Sequence, residues 1–454
     1  MHLKQIILII IFIILTGNSL NGQQKWSLNQ CISYAIENNV DLKGYEIQEK
    51  LSLEDLNQSK RNLLPGISAS SNAGISYGRS IDPITNDYVT REFFNNSYSM
   101  RTSITVFDGF RLQNQIKYEK FRKQVSEYNR LNAIDDLAFK VMTSFFDVLY
   151  FKGMLVIAKE QVEASKLNLK AIEKQVQVGL KAKSDLLEMR ANLEMEELNR
   201  IQIENSGKTA MLQLKQHMNL ATNEELVLVE ESGTTISENI ADAHSLFTGF
   251  TEWSPYYKSF EADLKATEKF LSVNRSKLYP LISAGGSINT GFSETNKNAS
   301  GNMIGFADQF KNNQSKYIGA SLSIPVFSRW VNRSNIKKAK LEVERATNRL
   351  ESEKQKLYFE MANNLNELEA LNREYNQYEK QNEVDNLAFQ AAEKKFEQGL
   401  INVVEFYIAK NRLANTNSQV LRARLQWEIK KKTLDFYEGV RFWESEESDQ
   451  SQSQ

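Results

Sequence analysis

The feature that most constrains this chain is that it repeats itself. Gly179 lies in QVGLKAKSDLLEMRANL and Gly399 in EQGLINVVEFYIAKNRL, 220 residues later. Apolar residues pair at the same offset: Leu169 with Phe389, Ile172 with Ala392, Val176 with Phe396, Leu180 with Leu400 and Leu193 with Leu413. ITVFDGF (104–110) lies over IPVFSRW (324–330) in that register. Upstream, SKRNLLPGISAS and NRSKLYPLISAG align Pro65 with Pro280 at an offset of 215. The five-residue slack falls in a loop downstream of the prolines. A tandem duplication implies two similar halves, each with one variable loop.

Each half contains one very long helical stretch. Residues 111–178 hold no proline and one glycine, Gly153; residues 331–398 hold neither. Apolar residues recur at three- and four-residue steps, as in Leu131, Ile134, Leu137 and Val141, the mark of a helix face. At 1.5 Å per residue each such helix is roughly 100 Å long, more than a compact domain accommodates. Shorter helices are expected at about 28–62, 184–218, 253–278 and 403–437. By length, 184–218 stacked on 253–278, and 403–437 on 28–62, would each run back along one long helix. Between them lies a strand-like ELVLVE at 225–230.

Four short segments have period two instead. Ile67, Ala69, Ala73, Ile75 and Tyr77 share a face, as do Tyr98, Met100, Thr102, Ile104 and Val106. Ile282, Ala284, Ile288 and Phe292 form a third set, and Ile318, Ala320, Leu322, Ile324 and Val326 a fourth. The opposite faces are Ser, Asn, Gly or Arg. Such alternation suits a strand with lipid on one side and water on the other. Pro65 and Pro280 stand where helix must give way to strand, since the residue before proline avoids the helical region. Pro325 is placed at the end of its strand. Loops of about 78–97 and 293–316 are polar. Four strands cannot close a channel, and lipid forbids open sheet edges. Three copies would supply twelve strands, an even number, under closed cyclic symmetry.

Composition narrows the function. A net charge of −1 does not suggest a nucleic-acid partner. The run IILIIIFIIL (6–15) is too short for a membrane helix, which needs about 20 residues, and its flanks have the layout of a signal peptide cut near Ser19 or Gly22. Export follows. Cys31 is the single cysteine, so no intrachain disulfide forms, and it reads as a small buried residue. His217 and His244 read as surface histidines; no spacing suggests a metal site or a catalytic triad, and neither enzyme nor cofactor is expected.

The duplicated halves, the opening WSLNQCISYAIENN, the junctions NLLPGISAS and KLYPLISAG, the VF strand ends and the two glycine motifs together resemble the TolC family of outer membrane factors, or outer membrane efflux proteins, from about Trp26 to Trp443. The resemblance implies a mainly α fold with a membrane β-barrel. A homotrimer would combine four strands per protomer in a twelve-stranded outer-membrane barrel and continue it as a periplasmic helical barrel. It implies a passive exit duct, in a tripartite efflux or type I secretion system, in contact with outer-membrane lipid. A periplasmic adaptor (membrane fusion) protein would couple it to an inner-membrane pump.

The resemblance also assigns positions. Gly179, Leu180, Gly399 and Leu400 fall at hairpin tips, where a left-handed residue turns the chain back and an adaptor would dock. Asp185 and Glu405 match acids of the periplasmic aperture. They also suit a first helical turn electrostatically, and Asn402 with Glu405 has capping-box spacing. Phe396 and Ile401 stand where relatives often carry a Tyr and an Arg that bond across the aperture.

The expected organisation is a signal peptide at 1–22 and a first repeat at 23–230, with strand–loop–strand 66–107 and helical hairpin 110–218. An equatorial linker follows at 231–252. The second repeat is 253–440, with 281–327 and 330–438 as its counterparts, and a polar tail closes the chain at 441–454. The competing reading is an exported periplasmic adaptor or elongated coiled-coil scaffold, which would not need the four amphipathic strands.

Overall fold

A computed structural model describes residues 25–81, 86–229 and 242–444. The expected signal peptide lies outside these residues, as do parts of the first loop, the linker and the tail. Strands are β1 (Lys25–Trp26), β2 (Gly66–Ile81), β3 (Tyr88–Phe107), β4 (Val227–Leu228), β5 (Leu281–Ser293) and β6 (Ser315–Ser323). Helices are α1 (Leu28–Asn38), α2 (Val40–Arg61), α3 (Arg111–Gln177), α4 (Lys183–Met218) and α5 (Ala243–Trp253). They continue as α6 (Pro255–Ser276), α7 (Phe306–Asn312), α8 (Val331–Glu397) and α9 (Val403–Tyr437). The duplication governs these bounds. α1 and α2 precede α5 and α6 by 215 residues at both ends, and α3 precedes α8 by 220 at both ends.

The chain forms two compact units. One comprises Ile47–Tyr128 and Lys258–Ser352 and carries an antiparallel sheet in the order β2-β3-β5-β6. Partners across a ladder share a face, so the register decides where the apolar sets go. Ala69 pairs Met100, which pairs Ile288. Ile67, Thr102, Gly286 and Ile318 form another rung, and Ile104, Ala284 and Ala320 a third. The alternating sets of all four strands thus meet on one face. Exposed Ile67, Tyr77, Met100, Ile318 and Leu322 mark it. The other face is small and polar, with hydroxyl pairs Ser70–Ser99 and Ser283–Ser321 at 2.7 Å.

The sheet departs from expectation in four places. Pairing of β2 with β3 continues to Ile81 and Tyr88, so much of the expected 78–97 loop is ladder; Tyr, Val and Thr at 88–90 favour strand. A bulge between Thr105 and Phe107 leaves Val106 unpaired and puts Phe107 opposite Ile282. β6 stops at Ser323, because Pro325 has no N–H for a ladder. The second loop holds α7, which was not expected. Phe306 and Phe310 pack on Phe292 and Tyr98, with centroids 5.7 and 5.5 Å apart. Buried Gln309 donates to the carbonyls of Ser293 and Ile304 and accepts from Ser293 N and Asn296 Nδ2.

The helix-to-strand junctions match. α2 unwinds through Leu63 N–Lys60 O and Leu64 N–Arg61 O, and β2 begins directly after Pro65. Leu278 N–Arg275 O and Tyr279 N–Ser276 O do the same before Pro280 and β5.

The other unit comprises the described parts of 1–46, 129–257 and 353–454. Its core joins Val141, Met142, Phe145 and Leu149 of α3 to Leu28, Cys31 and Ile32 of α1 and to an aromatic group from α5, α9 and beyond. α3 contains a stretch apolar enough to cross a membrane by length and composition, but its residues from Ala133 to Leu149 supply this core. α1 starts at a capping box: Ser27 Oγ accepts from Gln30 N, and Gln30 Oε1 accepts from Ser27 N. β1 and β4 pair in parallel, which gives the strand-like 225–230 run its partner. Burial pushes the Cys31 thiol up to about 12.

Several expectations change here. The helix placed at 28–62 breaks at Asn39. Its Oδ1 accepts from Asp41 N and Leu42 N, while its Nδ2 donates to His217 O. α4 therefore ends against the start of α2, and not against α6. The equivalent break at Ser254, before Pro255 in the first helical position, meets α9 through Trp253 and Phe436, whose ring centroids are 5.2 Å apart. The expected stacking pairs are thus exchanged. The linker at 231–252 contains α5, capped by Asp242. Phe442 and Trp443, read as tail, are buried in the core. His217 is half-buried, and burial lowers its pKa.

Candidate functional site: the hairpin tips

Both long helices end in the same closure. Gly179 has φ +78° and Gly399 φ +73°, the left-handed region that costs an L side chain energy. Leu180 N donates to Gln175 O at 2.8 Å and Gly179 N to Val176 O at 3.1 Å. Leu400 N donates to Lys395 O at 2.9 Å and Gly399 N to Phe396 O at 3.0 Å. This double bond pattern is the Schellman motif, which satisfies carbonyls that a helix end would otherwise orphan. Leu180 and Leu400 are left 75% and 69% exposed.

The two tips are packed together. Ile172 and Met189 from the first hairpin join Phe396, Val403, Phe406 and Tyr407 from the second, with Leu169, Val176, Leu186, Phe389 and Ile401 around them. Phe396 stacks on Phe406 at 4.6 Å, and Lys181 Nζ lies 5.6 Å from the Phe396 ring centre. Phe396 and Ile401 are therefore packing residues of this cluster.

The two acids sit differently. Asn402 Oδ1 accepts from Glu405 N, and Asn402 Nδ2 donates to Glu405 Oε1, both at 2.9 Å. Glu405 is exposed and serves this cap. Asp185 is half-buried in the first turn of α4, whose N-cap, Ala182, supplies no side-chain bond. Pro65 and Pro280 belong to the sheet-bearing unit.

Sequence reasoning missed a buried polar group above the tips. Lys410 on α9 is 1% exposed. Its Nζ donates to Gln161 O at 2.7 Å, to Ser165 Oγ, and to both oxygens of Glu196 at 2.9 and 3.1 Å. Tyr407 OH and Ser165 Oγ are 3.0 Å apart. Burial lowers the Lys410 pKa against the opposing pull of Glu196, and pushes Tyr407 up to about 12. Among the described residues no cluster of His, Cys, Asp or Glu could hold a metal ion.

The outer membrane efflux protein family model matches residues 31–220 and 254–440, most of the chain. The chain belongs to the outer membrane efflux protein family. No individual curated protein matches this efflux protein by sequence. Its fold is that of solved outer-membrane channels. CusC, described in terms of folding and transmembrane channel formation, superposes with a TM-score of 0.78 at 16% identity, covering 92% of this chain and 95% of that one. The Campylobacter jejuni CmeC outer membrane channel gives 0.78 at 17%, covering 93% and 88%. The open state of the Neisseria gonorrhoeae MtrE outer membrane channel gives 0.74 at 18%, covering 91% and 89%.

The efflux protein thus has the fold of outer-membrane channels, and the adaptor or scaffold reading is not favoured. The signal for the missed group was in its duplication. Ser165 and Asp385 are 220 residues apart, as are Glu196 and Thr416. An acid facing a hydroxyl recurs in both hairpins.

Proposed function

We propose that three copies form one duct across the outer membrane, closed as a twelve-stranded barrel and continued by a helical tube. The observation that carries this is the four-stranded sheet. β2 and β6 are each paired on one side only, and one face is apolar and exposed. In lipid an unpaired edge costs several kcal/mol per orphan backbone group, so β2 of one copy must meet β6 of another. The small polar face then lines the pore. The duct has no energy source of its own. An inner-membrane pump drives cargo into it through a periplasmic adaptor, which docks on the exposed Leu180 and Leu400 beside Gly179 and Gly399. Asp185 and Glu405 make the entrance acidic, and Pro65 and Pro280 mark the turn from tube to barrel.

Native mass spectrometry in detergent, with conductance of the same sample in a planar bilayer, tests the reading. Three chains and a conducting pore are expected. A stably inserted monomer, or a trimer that never conducts, would sink it.

A further inference from the structure

The unit built on α1, α3 and α9 carries a cavity that the duct reading does not use. It is open to solvent, about 460 Å³ in volume, and lined from α3, α5, α6, α8 and α9. Every lining residue belongs to that one unit. The volume falls among those of small-molecule sites, roughly 300–1,000 Å³. Part of the lining is aromatic. Phe139, Phe250, Phe436 and Tyr437 meet there edge to face, with centroids 5.0 Å apart for Phe139–Phe436 and 5.2 Å for Phe250–Tyr437. Asp135 lines the same cavity, and its side chain is only 6% exposed.

The other charges around the cavity are matched. Lys430 Nζ donates to Asn364 Oδ1 at 2.7 Å and pairs with Glu367. Lys356 lies 3.5 Å from Glu353, which also accepts from Tyr256 OH. Tyr437 OH donates to Glu360 at 3.4 Å, and Asn132 Nδ2 donates to Asp136 at 3.2 Å. Asp135 differs. Its Oδ1 is buried and accepts no hydrogen bond among the described residues. Arg441 comes only to 3.5 Å of it, and is shared with Glu444 at 3.0 Å. A buried carboxylate oxygen short of a donor is costly. A donor that brings a positive charge relieves both the missing bond and the buried charge.

We propose that this cavity binds a small protonated amine with an apolar body, its ammonium donating to the Asp135 carboxylate and its body lying against Phe139, Phe250 and Phe436. Such a ligand uses both features of the lining. A hydrogen bond from an ammonium to a carboxylate is roughly twice as strong as a neutral one, and ring faces attract a cation within about 6 Å. Burial pushes the Asp135 carboxyl up to about 7, with Arg441 opposing and Asp136 and Glu444 adding to the rise. Lys356 and Glu360 of α8 and Lys430 of α9 also face the cavity, and burial raises the Tyr437 hydroxyl further above its usual range. The amine needs Asp135 ionised, so below about pH 7 its binding releases a proton and the complex tightens as pH rises. An alkylammonium keeps its own charge over that range, as a lysine does. The site lies within one chain and does not depend on how many copies form the duct.

Isothermal titration calorimetry of the full chain in detergent tests the site with three probes. Phenethylamine carries charge and ring, phenethyl alcohol the ring without the charge, and methylamine the charge without the ring. Saturable binding of phenethylamine is expected, about tenfold tighter at pH 8 than at pH 6. It should also be about tenfold or more tighter than binding of either control. Asp135→Asn keeps the shape of the side chain and should bring phenethylamine at pH 8 down to the level of the alcohol, with the pH dependence gone; a urea midpoint shows that the variant is folded. Binding that survives Asp135→Asn, that ignores pH, or that either control matches overturns the proposal. So does the absence of saturable binding, which would leave the cavity to water. A conducting trimer that takes up no amine removes this site and leaves the duct reading intact.

Discussion

The two hairpin tips share a backbone and differ in the side chains that pack between them. Each ends in a glycine at positive φ with the same pair of closing hydrogen bonds. The first contributes aliphatic Leu169, Ile172, Val176 and Leu186; the second contributes Phe389, Phe396 and Phe406 at equivalent or nearby positions. After duplication the turn could not drift, because its conformation depends on one residue without a Cβ. The packing could drift, provided the two tips together still filled one cluster. Small residues on one side and rings on the other do that.

The largest break in this comparison should come from the rings. Phe406 is fully buried and stacked on Phe396, so Phe406→Ala should cost about 3–5 kcal/mol. Leu186, its counterpart 220 residues earlier, is only half-buried, and Leu186→Ala should cost at least about 1 kcal/mol less. Hydrogen exchange in the first turns of α4 and α9 reads both. Equal losses of protection would mean that the tips contribute alike and the asymmetry is cosmetic.

A charge difference comes next. Asp135 is buried beside Arg441 at 3.5 Å, while its counterpart Gln355 is neutral and exposed. Burial pushes the Asp135 carboxyl up to about 7, against Arg441, with Asp136 and Glu444 adding to the rise. The folded pKa lies above the unfolded value. The group's stabilising contribution is therefore complete below about pH 4 and is lost as pH rises through about 7, a change on the order of a few kcal/mol. Asp135→Asn should flatten that profile, gaining on wild type at pH 8 and differing little at pH 4. Urea midpoints at the two pH values decide. A variant weaker than wild type at pH 8 would show that the ion pair with Arg441 outweighs desolvation.

The glycines should behave identically. Neither has an atom within 4 Å of an added Cβ, so only φ matters, and Gly179→Ala and Gly399→Ala should each cost about 1–2 kcal/mol. Unequal losses, measured by exchange at the two loops, would mean that one loop is held by something other than its backbone.

How much of this could be read beforehand follows the same division. Features fixed by backbone chemistry were legible: the glycine turns, the proline junctions, the two-residue alternation that becomes one apolar sheet face. Features fixed by three-dimensional contact were not. Lys410 looks like one more cation on a charged helix until Glu196, Ser165 and Gln161 surround it. Asn39 is a capping residue type and caps α2 through Asp41 N and Leu42 N, a signal hidden in a long helical run; its bond to His217 O across 178 residues could not be read at all. Phe442 and Trp443 follow a helix end and precede a polar run, and only the aromatic group that covers them makes them core. Pro255 was a legible break that helix length alone obscured.

The smallest effect tests whether the caps differ as the packing does. Asn402 bonds Glu405 N through its side chain, whereas Ala182, at the same point of the first hairpin, has no capping side chain, and Asp185 N donates to its carbonyl at 3.1 Å. Capping side chains are worth about 0.5–2 kcal/mol over alanine. Asn402→Ala should therefore destabilise the start of α9 by about 1 kcal/mol, and Ala182→Asn should stabilise the start of α4 by somewhat less. Less is expected because Ala182 has the extended backbone of a capping residue, φ −78° and ψ 149°, but no acid like Glu405 three residues on to accept from the asparagine Nδ2: Asp185 holds that place with a shorter side chain. Exchange rates of the first-turn amides in each helix give the two numbers. If Ala182→Asn slows nothing, the first tip already satisfies those amides by another route, and the hairpins differ in the means of capping and not in its strength.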